Sequence, residues 1–252
     1  MGIRRHAIVL AVLLALLAVS AVGCMSSELE SDEVTTTEST QPAEDTDIEQ
    51  DGSAPVQPAT YELVFDATWS RDTHPVDFPP NPHFSGLIGA VHGPDALLWA
   101  DGMLATPGIK NMAETGGKDP LDVEVEAMIA EGTACELISG SGINPSPGMT
   151  SITFTVSEAC PLVSVVSMIA PSPDWFVGVS ALDMREGDAW AEEIVIELYP
   201  WDGGTDDGVN YSSANAPTVS PVPVFLMEPG PPIAVEGVIP PFGTYTFTKT
   251  EG

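Results

Sequence analysis

Basic side chains are scarce in this chain: seven Lys and Arg stand against 37 Asp and Glu, a formal net charge of −30. So acidic a protein has no electrostatic reason to seek a nucleic-acid backbone or an anionic bilayer, both of which are held by positive side chains. Nucleic acid is therefore excluded as a partner. The excess of acid suits a surface kept soluble in high salt, or an affinity for cations. Catalytic motifs are absent too: there is no G-x-S-x-G elbow, no H-E-x-x-H and no phosphate-cradling Gly loop. "SGSG" at residues 139–142 reads as a flexible connection, and no enzymatic role is expected. Cysteine is limited to Cys24, Cys135 and Cys160.

Long apolar runs are missing except at the start, where "MGIRRHAIVLAVLLALLAVSAVGCMSS" carries Arg4 and Arg5, then an uncharged stretch, then small residues before Cys24. That pattern is an export signal rather than part of a fold. Its end, Ala21-Val22-Gly23-Cys24, resembles the lipobox of prokaryotic lipoproteins, with Ala21 where a leucine is usual. The resemblance implies a signal over residues 1–23, cleavage before Cys24, lipidation of Cys24 and attachment to a membrane through that lipid. An uncleaved anchor or an ordinary secretory cut are the alternatives. Removing the signal leaves five basic residues, Arg71, Lys110, Lys118, Arg185 and Lys249, against all 37 acids. An exported compartment permits a disulfide between Cys135 and Cys160, although sequence does not show whether they approach each other.

Residues 24–59 form the next segment. From Met25 onward it holds ten acids, no basic residue, no aromatic and many Ser, Thr and Pro. Such a stretch cannot bury enough apolar area to offset the entropy of ordering, so it reads as a disordered, charge-extended tether.

The folded domain occupies residues 60–252. "YELVFDATW" alternates Tyr61, Leu63, Phe65, Ala67 and Trp69 on one face, the period of a half-buried strand. "SITFTV" and "EEIVIELY" repeat the signal, and "LVSVVSMIA" is a near-continuous apolar run suited to a central strand. "IAVEGVI" and "GTYTFTKT" read as further strands. "DPLDVEVEAMIAEG" has helical spacing, with Leu121, Val125, Met128 and Ile129 on one stripe, Asp119 as cap and Pro120 in the first turn. "PGIKNMAETGG" adds a short helical turn. Many short strands with one or two helices indicate a mainly β fold, a sandwich with inserted helices.

The chemistry concentrates in "PWDGGTDDG" and in "APSPDWFVGV". Asp174 stands where one strand begins, and Asp202 follows another. If those ends share an edge of the sandwich, Asp174, Asp202 and Asp206 converge, and three carboxylates without a cation repel strongly. Ca²⁺ takes six to eight oxygens from loops of this kind. The bend is not an EF-hand, since the positions that need Gly and Glu are Asp207 and Ser213. The plain reading is an Asp and Gly turn on an acidic surface.

Three stretches, "ATWSRDTHPVDFPPNPHFSGLIGAVH", "SMIAPSPDWFVGV" and "LYPWDGGTDDGVNYSS", resemble the N-terminal spondin domain family, to which F-spondin and mindin belong, over residues 60–248. The resemblance implies an antiparallel, C2-like β-sandwich with a bound calcium ion whose aspartates match Asp174, Asp202 and Asp206. Gly203 stands where the animal pattern has Ala, Asp207 where it has Ser, and Met184 near where it has a cysteine. Neither of the first two removes a ligand; Asp207 is expected to point away. The implied function is calcium-dependent, non-enzymatic adhesion or recognition at the cell surface or facing the periplasm, with an extracellular or envelope protein or glycan as partner. A hydrolase acting on envelope glycans and a purely structural component are the rivals. His74, His83 and His92, nine residues apart, read as loop and core hydrogen-bonding residues rather than zinc ligands. Trp69, Trp99, Trp175, Trp190 and Trp201 read as core or rim aromatics, with Trp175 and Trp201 packing the calcium loops.

Overall fold

The computed structural model describes residues 56–252. The export signal, the lipidation of Cys24 and residues 24–55 of the acidic tether fall outside the described residues; at the tether's expected end Val56 packs against the core and Ala59 already begins the first strand, buried.

Alternation is the force behind the first sheet. In β1 (Ala59–Ala67) the side chains of Tyr61, Leu63 and Phe65 face inward and are buried, while Glu62, Val64 and Asp66 face outward. β1 lies between β5 (Gly148–Val156) and β13 (Gly243–Glu251), and β10 (Glu193–Leu198) completes the order β10-β13-β1-β5, every pair antiparallel. Phe154, Tyr245 and Phe247 join the buried row of β1, and the Tyr61 hydroxyl is tied to the Ala191 carbonyl.

The second sheet runs β12 (Phe225–Leu226), β11 (Trp201–Asp202), β7 (Trp175–Asp183), β6 (Leu162–Ala170), β3 (Ile88–His92), β4 (Ala134–Ser139), with β2 (His83–Phe84) paired to the end of β6. β6 is central, as its apolar run suggests, and the reason is that both its faces are covered. Val163, Val165 and Ile169 enter the core between the sheets, while Val166, Met168 and Ala170 enter a second core under two helices. A short hairpin, β8 (Arg185–Glu186) with β9 (Ala189–Trp190), stands apart from both sheets. The fold is thus an antiparallel β-sandwich with two inserted helices.

The helices differ from the sequence reading in detail. α1 (Pro107–Thr115) is a full nine-residue helix: the Thr106 hydroxyl accepts from the Ile109 N–H at 3.1 Å and Pro107 opens the first turn. α2 (Leu121–Ala130) starts behind Pro120 with no side-chain cap, so Asp119 does not cap it. Glu124 of α2 instead serves α1, accepting from the Gly108 N–H and the Thr106 hydroxyl, both at 2.7 Å. Leu121 and Val125 are buried and Met128 and Ile129 half-buried against the sheet.

"IAVEGVI" is not a strand. Val235 and Val238 bracket a tight turn in which Glu236 (φ 51°) and Gly237 (φ 80°) are both left-handed, the geometry that reverses a chain in two residues. Its alternating apolar residues imitate a strand, but the chain folds back on itself.

Cys135 in β4 and Cys160, just before β6, are bonded, with Cα atoms 6.2 Å apart. The bridge spans 25 residues of sequence, a closure that removes about 3.5 kcal/mol of unfolded-state freedom in the chain-entropy account. Replacing both cysteines by alanine is expected to lower the urea-unfolding stability by roughly that amount. An unchanged midpoint would mean that the packing of β4 and β5 into their separate sheets already imposes the closure.

Candidate metal centre

Two antiparallel strands bring the site together. β7 begins immediately after Asp174, and β11 pairs with it so that Asp202 lies opposite Trp175 and Trp201 opposite Phe176. The Ser172 hydroxyl accepts from the Trp175 N–H at 3.1 Å, shaping the turn that delivers Asp174. On the other strand the Gly203 N–H donates to the Asp174 carbonyl at 3.0 Å. The chain then swings through Gly204, whose φ of 70° and approach to Val222 leave no room for a side chain: a Cβ there would lie 2.1 Å from the Val222 carbonyl oxygen.

That swing wraps the backbone around Asp174. Its Oδ2 accepts three hydrogen bonds, from the Thr205 N–H at 2.7 Å, the Asp206 N–H at 3.1 Å and the Thr205 hydroxyl at 3.1 Å. Its Oδ1 is buried and accepts none, and the residue is 0% exposed. Asp202 accepts from the Gly204 N–H at 2.8 Å. Asp206, also buried, accepts from the Gly208 N–H through Oδ1 and the Ala216 N–H through Oδ2, both at 2.8 Å. The three aspartates therefore occupy one corner, but in different ways. Asp206 spends both oxygens on its own loop, whereas Asp174 leaves one bare. Asp207 is exposed and takes the Thr218 hydroxyl.

The electrostatics follow from this crowding. Burial raises the pKa of Asp174, and the charge of Asp206 adds to the rise against the opposing pull of the Thr205 and Asp206 donors. Asp202 is pushed up to about 6, first by burial and then by the negative charge of Asp174. The Trp175 indole N–H makes no well-formed hydrogen bond, yet it lies close enough to Asp202 to favour its charged form.

No basic side chain relieves the corner. Arg71 sits against the Phe78 carbonyl and ring, Lys110 pairs with Glu114, Lys118 reaches Ser139 and Gly140, Arg185 grips Asp183, and Lys249 pairs with Glu192. Those five are every Lys and Arg among the described residues. Among the described residues, no three or more His, Cys, Asp or Glu side chains are grouped so that they could hold a metal ion as they stand. The corner nonetheless offers hard oxygens only, with one buried carboxylate oxygen unpartnered, a donor chemistry that fits Ca²⁺ better than a softer metal.

Packing holds these loops in place. Tyr211, 1% exposed, brings the chain beyond the bend back into the core, edge-on to Trp175 at 5.5 Å and tilted against Trp69 at 5.1 Å. Neither Tyr211 nor Thr205 is among the residues that sequence reading singles out, though Thr205 lies inside the "GGTD" stretch. A Cβ on Gly203 would meet the Asp174 carbonyl and Oδ2 at 3.1 and 3.2 Å, so the alanine of the animal pattern fits with a slight adjustment. His74 and His92 are buried and His83 is partly so; each hydrogen-bonds locally, to Thr73 and Pro240, to Gly93 and Ser164, and to Asn81 respectively. They do not meet.

The Spondin_N family profile matches residues 59–234. Spondin-2 of Homo sapiens is 37% identical over 168 residues, covering 64% of this chain and 50% of its own length. Spondin-1 of Gallus gallus is 38% identical over 169 residues, again 64% of this chain but 21% of its own. The chain belongs to the Spondin_N family. The match spans about half the length of Spondin-2 and about a fifth of Spondin-1.

The raised pKa of Asp202 has a definite sign. Between its ordinary 3.8 and about 6 the native chain holds a proton that the unfolded chain has lost, so stability falls as pH rises through that window. His74, lowered by burial to about 4, acts oppositely: stability is lost as pH falls from 6.5 toward 4. The difference between wild type and Asp202→Asn isolates the first effect. In chelator at pH 7 the Asn variant is expected to be more stable by about 1 kcal/mol after allowing for solvent screening, with the gap closing near pH 4. Urea titrations across pH check it, and a variant less stable than wild type in chelator would contradict it.

Proposed function

We propose that this chain is an exported, non-enzymatic recognition or adhesion protein in which Asp174, Asp202 and Asp206 hold Ca²⁺. The observation that carries the reading is the fully buried Asp174 with its bare Oδ1, in a corner that no Lys or Arg neutralises. A divalent cation there supplies the missing charge and joins the start of β7 to the end of β11, which like charges otherwise push apart. The family relationship to Spondin-1 and Spondin-2 supports recognition rather than catalysis. Lipidation of Cys24 would hold the domain to a membrane, cell-surface or periplasm-facing, and the partner would be an extracellular or envelope protein or glycan.

A hydrolase working through the same acids would need a carboxyl that a glycan can touch. Asp174 is 0% exposed and Asp206 5% exposed, which leaves only the half-buried Asp202 within reach. Asp174 and Asp206 are better placed to fasten loops than to meet a substrate.

Calorimetry on the purified protein is expected to detect one Ca²⁺ per chain. Free Ca²⁺ at a hundred times its Kd should add about 2.7 kcal/mol to the unfolding free energy, and EDTA should lower the melting temperature accordingly. Absence of binding heat together with a melting temperature indifferent to EDTA would refute the reading. Asp202→Ala should weaken calcium binding and lower stability in calcium together; loss of a turnover at unchanged stability would favour the hydrolase instead.

A further inference from the structure

β7 is only half covered. β11 pairs with it at Trp175 and Phe176 alone, so beyond Phe176 the strand has β6 on one side and no strand on the other. A groove of about 490 Å³ runs along that open side. Its floor is the unbroken stretch from Gly178 to Leu182. Five consecutive residues line one groove because it follows the strand's edge and the bulge in it, where the alternation of faces is broken.

The open edge carries unused main-chain groups. The Gly203 N–H donates to the Asp174 carbonyl, so even-numbered residues of this strand turn their N–H and C=O toward the β11 side. The next free one along the edge is Gly178. Further on the strand bulges: the pairing with β6 shifts register, Ala181 takes a φ of 47°, and its N–H turns back to the Ser164 hydroxyl at 2.8 Å. Regular pairing therefore stops just where the groove lies.

The walls are apolar and aromatic. Leu97 is 44% exposed on one side, and Trp99 and Trp201 stand edge to face with centroids 5.1 Å apart. The Trp99 indole N–H has no acceptor. Asp101 is at the rim, and no Lys or Arg lines the groove.

We propose that this groove receives a short extended peptide of a partner, added as a strand to the free edge of β7 at Gly178, with an apolar side chain against Leu97 and Trp201 and a basic one toward Asp101. A peptide backbone brings both the donor and the acceptor that the strand edge lacks at Gly178, ahead of the bulge. Its basic residues complement Asp101 on a chain of net charge −30. Such a peptide is a partner chemistry for the recognition reading above, on which it rests, and none of the three carboxylates of the calcium corner lines the groove.

The test is titration calorimetry of the full chain with an acetylated, amidated Lys-Val-Lys-Val-Lys-Val peptide, in about 0.5 M NaCl to suppress non-specific ionic binding. Binding is expected with a Kd of about 1 mM or tighter. N-methylation of alternate peptide bonds, which keeps the charge but blocks strand pairing, should weaken it at least about tenfold, as should Leu97→Gln in a chain whose circular dichroism is unchanged. Affinity in EDTA, with the fold retained, should stay within about threefold of that in calcium, so this proposal and the calcium reading succeed or fail separately. No binding, equal affinity for the N-methylated peptide, indifference to Leu97→Gln, or loss in EDTA from a folded chain would each overturn it. Gly178 itself is unsuitable as a probe, because a Cβ there would lie 2.5 Å from the Val165 carbonyl oxygen.

Discussion

A carboxylate withdrawn from water must be hydrogen-bonded, paired or protonated, and Asp174 is hydrogen-bonded through only one of its oxygens and has no basic side chain beside it. Much of the surrounding structure answers to that residue. The bend at Gly204 turns the N–H groups of Thr205 and Asp206 onto Oδ2. The same bend carries Asp206 into the corner, where its charge adds to the repulsion. Tyr211, Trp175 and Trp69 then pack the loop from behind, fixing a geometry that electrostatics alone would open.

The sandwich makes that constraint bearable. β7 is anchored along its length by β6, whose two faces are buried in separate cores, so the end that delivers Asp174 is among the better-supported points in the domain. β11, by contrast, is two residues long and pairs with β7 only there. Its brevity has two consequences: it leaves the Asp202 side of the corner dependent on loops, and it leaves the remaining edge of β7 bare beside Leu97 and Trp99. The proposed calcium corner and the proposed peptide groove thus both follow from one short strand.

Much of the fold could be read from alternation. Tyr61, Leu63 and Phe65 face the core because a strand puts every second residue on one side, and that rule needs no knowledge of the partner strands. The rule failed at "IAVEGVI", where the pattern is the same but Glu236 and Gly237 are both left-handed, a backbone property that apolar spacing does not encode. It also undersized α1, although Thr106 and Pro107 carry a cap and first-turn signal ahead of the helix. Asp119 looked like a cap by its position before Pro120, yet the donor it would have served is left without a side-chain partner.

The three aspartates stood out from 37 acids because two strand ends could share one edge of the sandwich, and the family resemblance matched the same three; spacing alone allowed an ordinary acidic turn. What no pattern conveyed was their inequality, since burial, the triple donation onto Asp174 and the commitment of Asp206 to its own loop arise only once β7 and β11 pair. The central claim is that a cation completes the bare side of Asp174. The most direct measurement is anomalous diffraction from crystals grown in calcium. The predicted result is a peak about 2.3–2.6 Å from Asp174 Oδ1 and from an Asp202 carboxylate oxygen; a corner with no peak, and Asp174 Oδ1 satisfied by water or by protein, would contradict it.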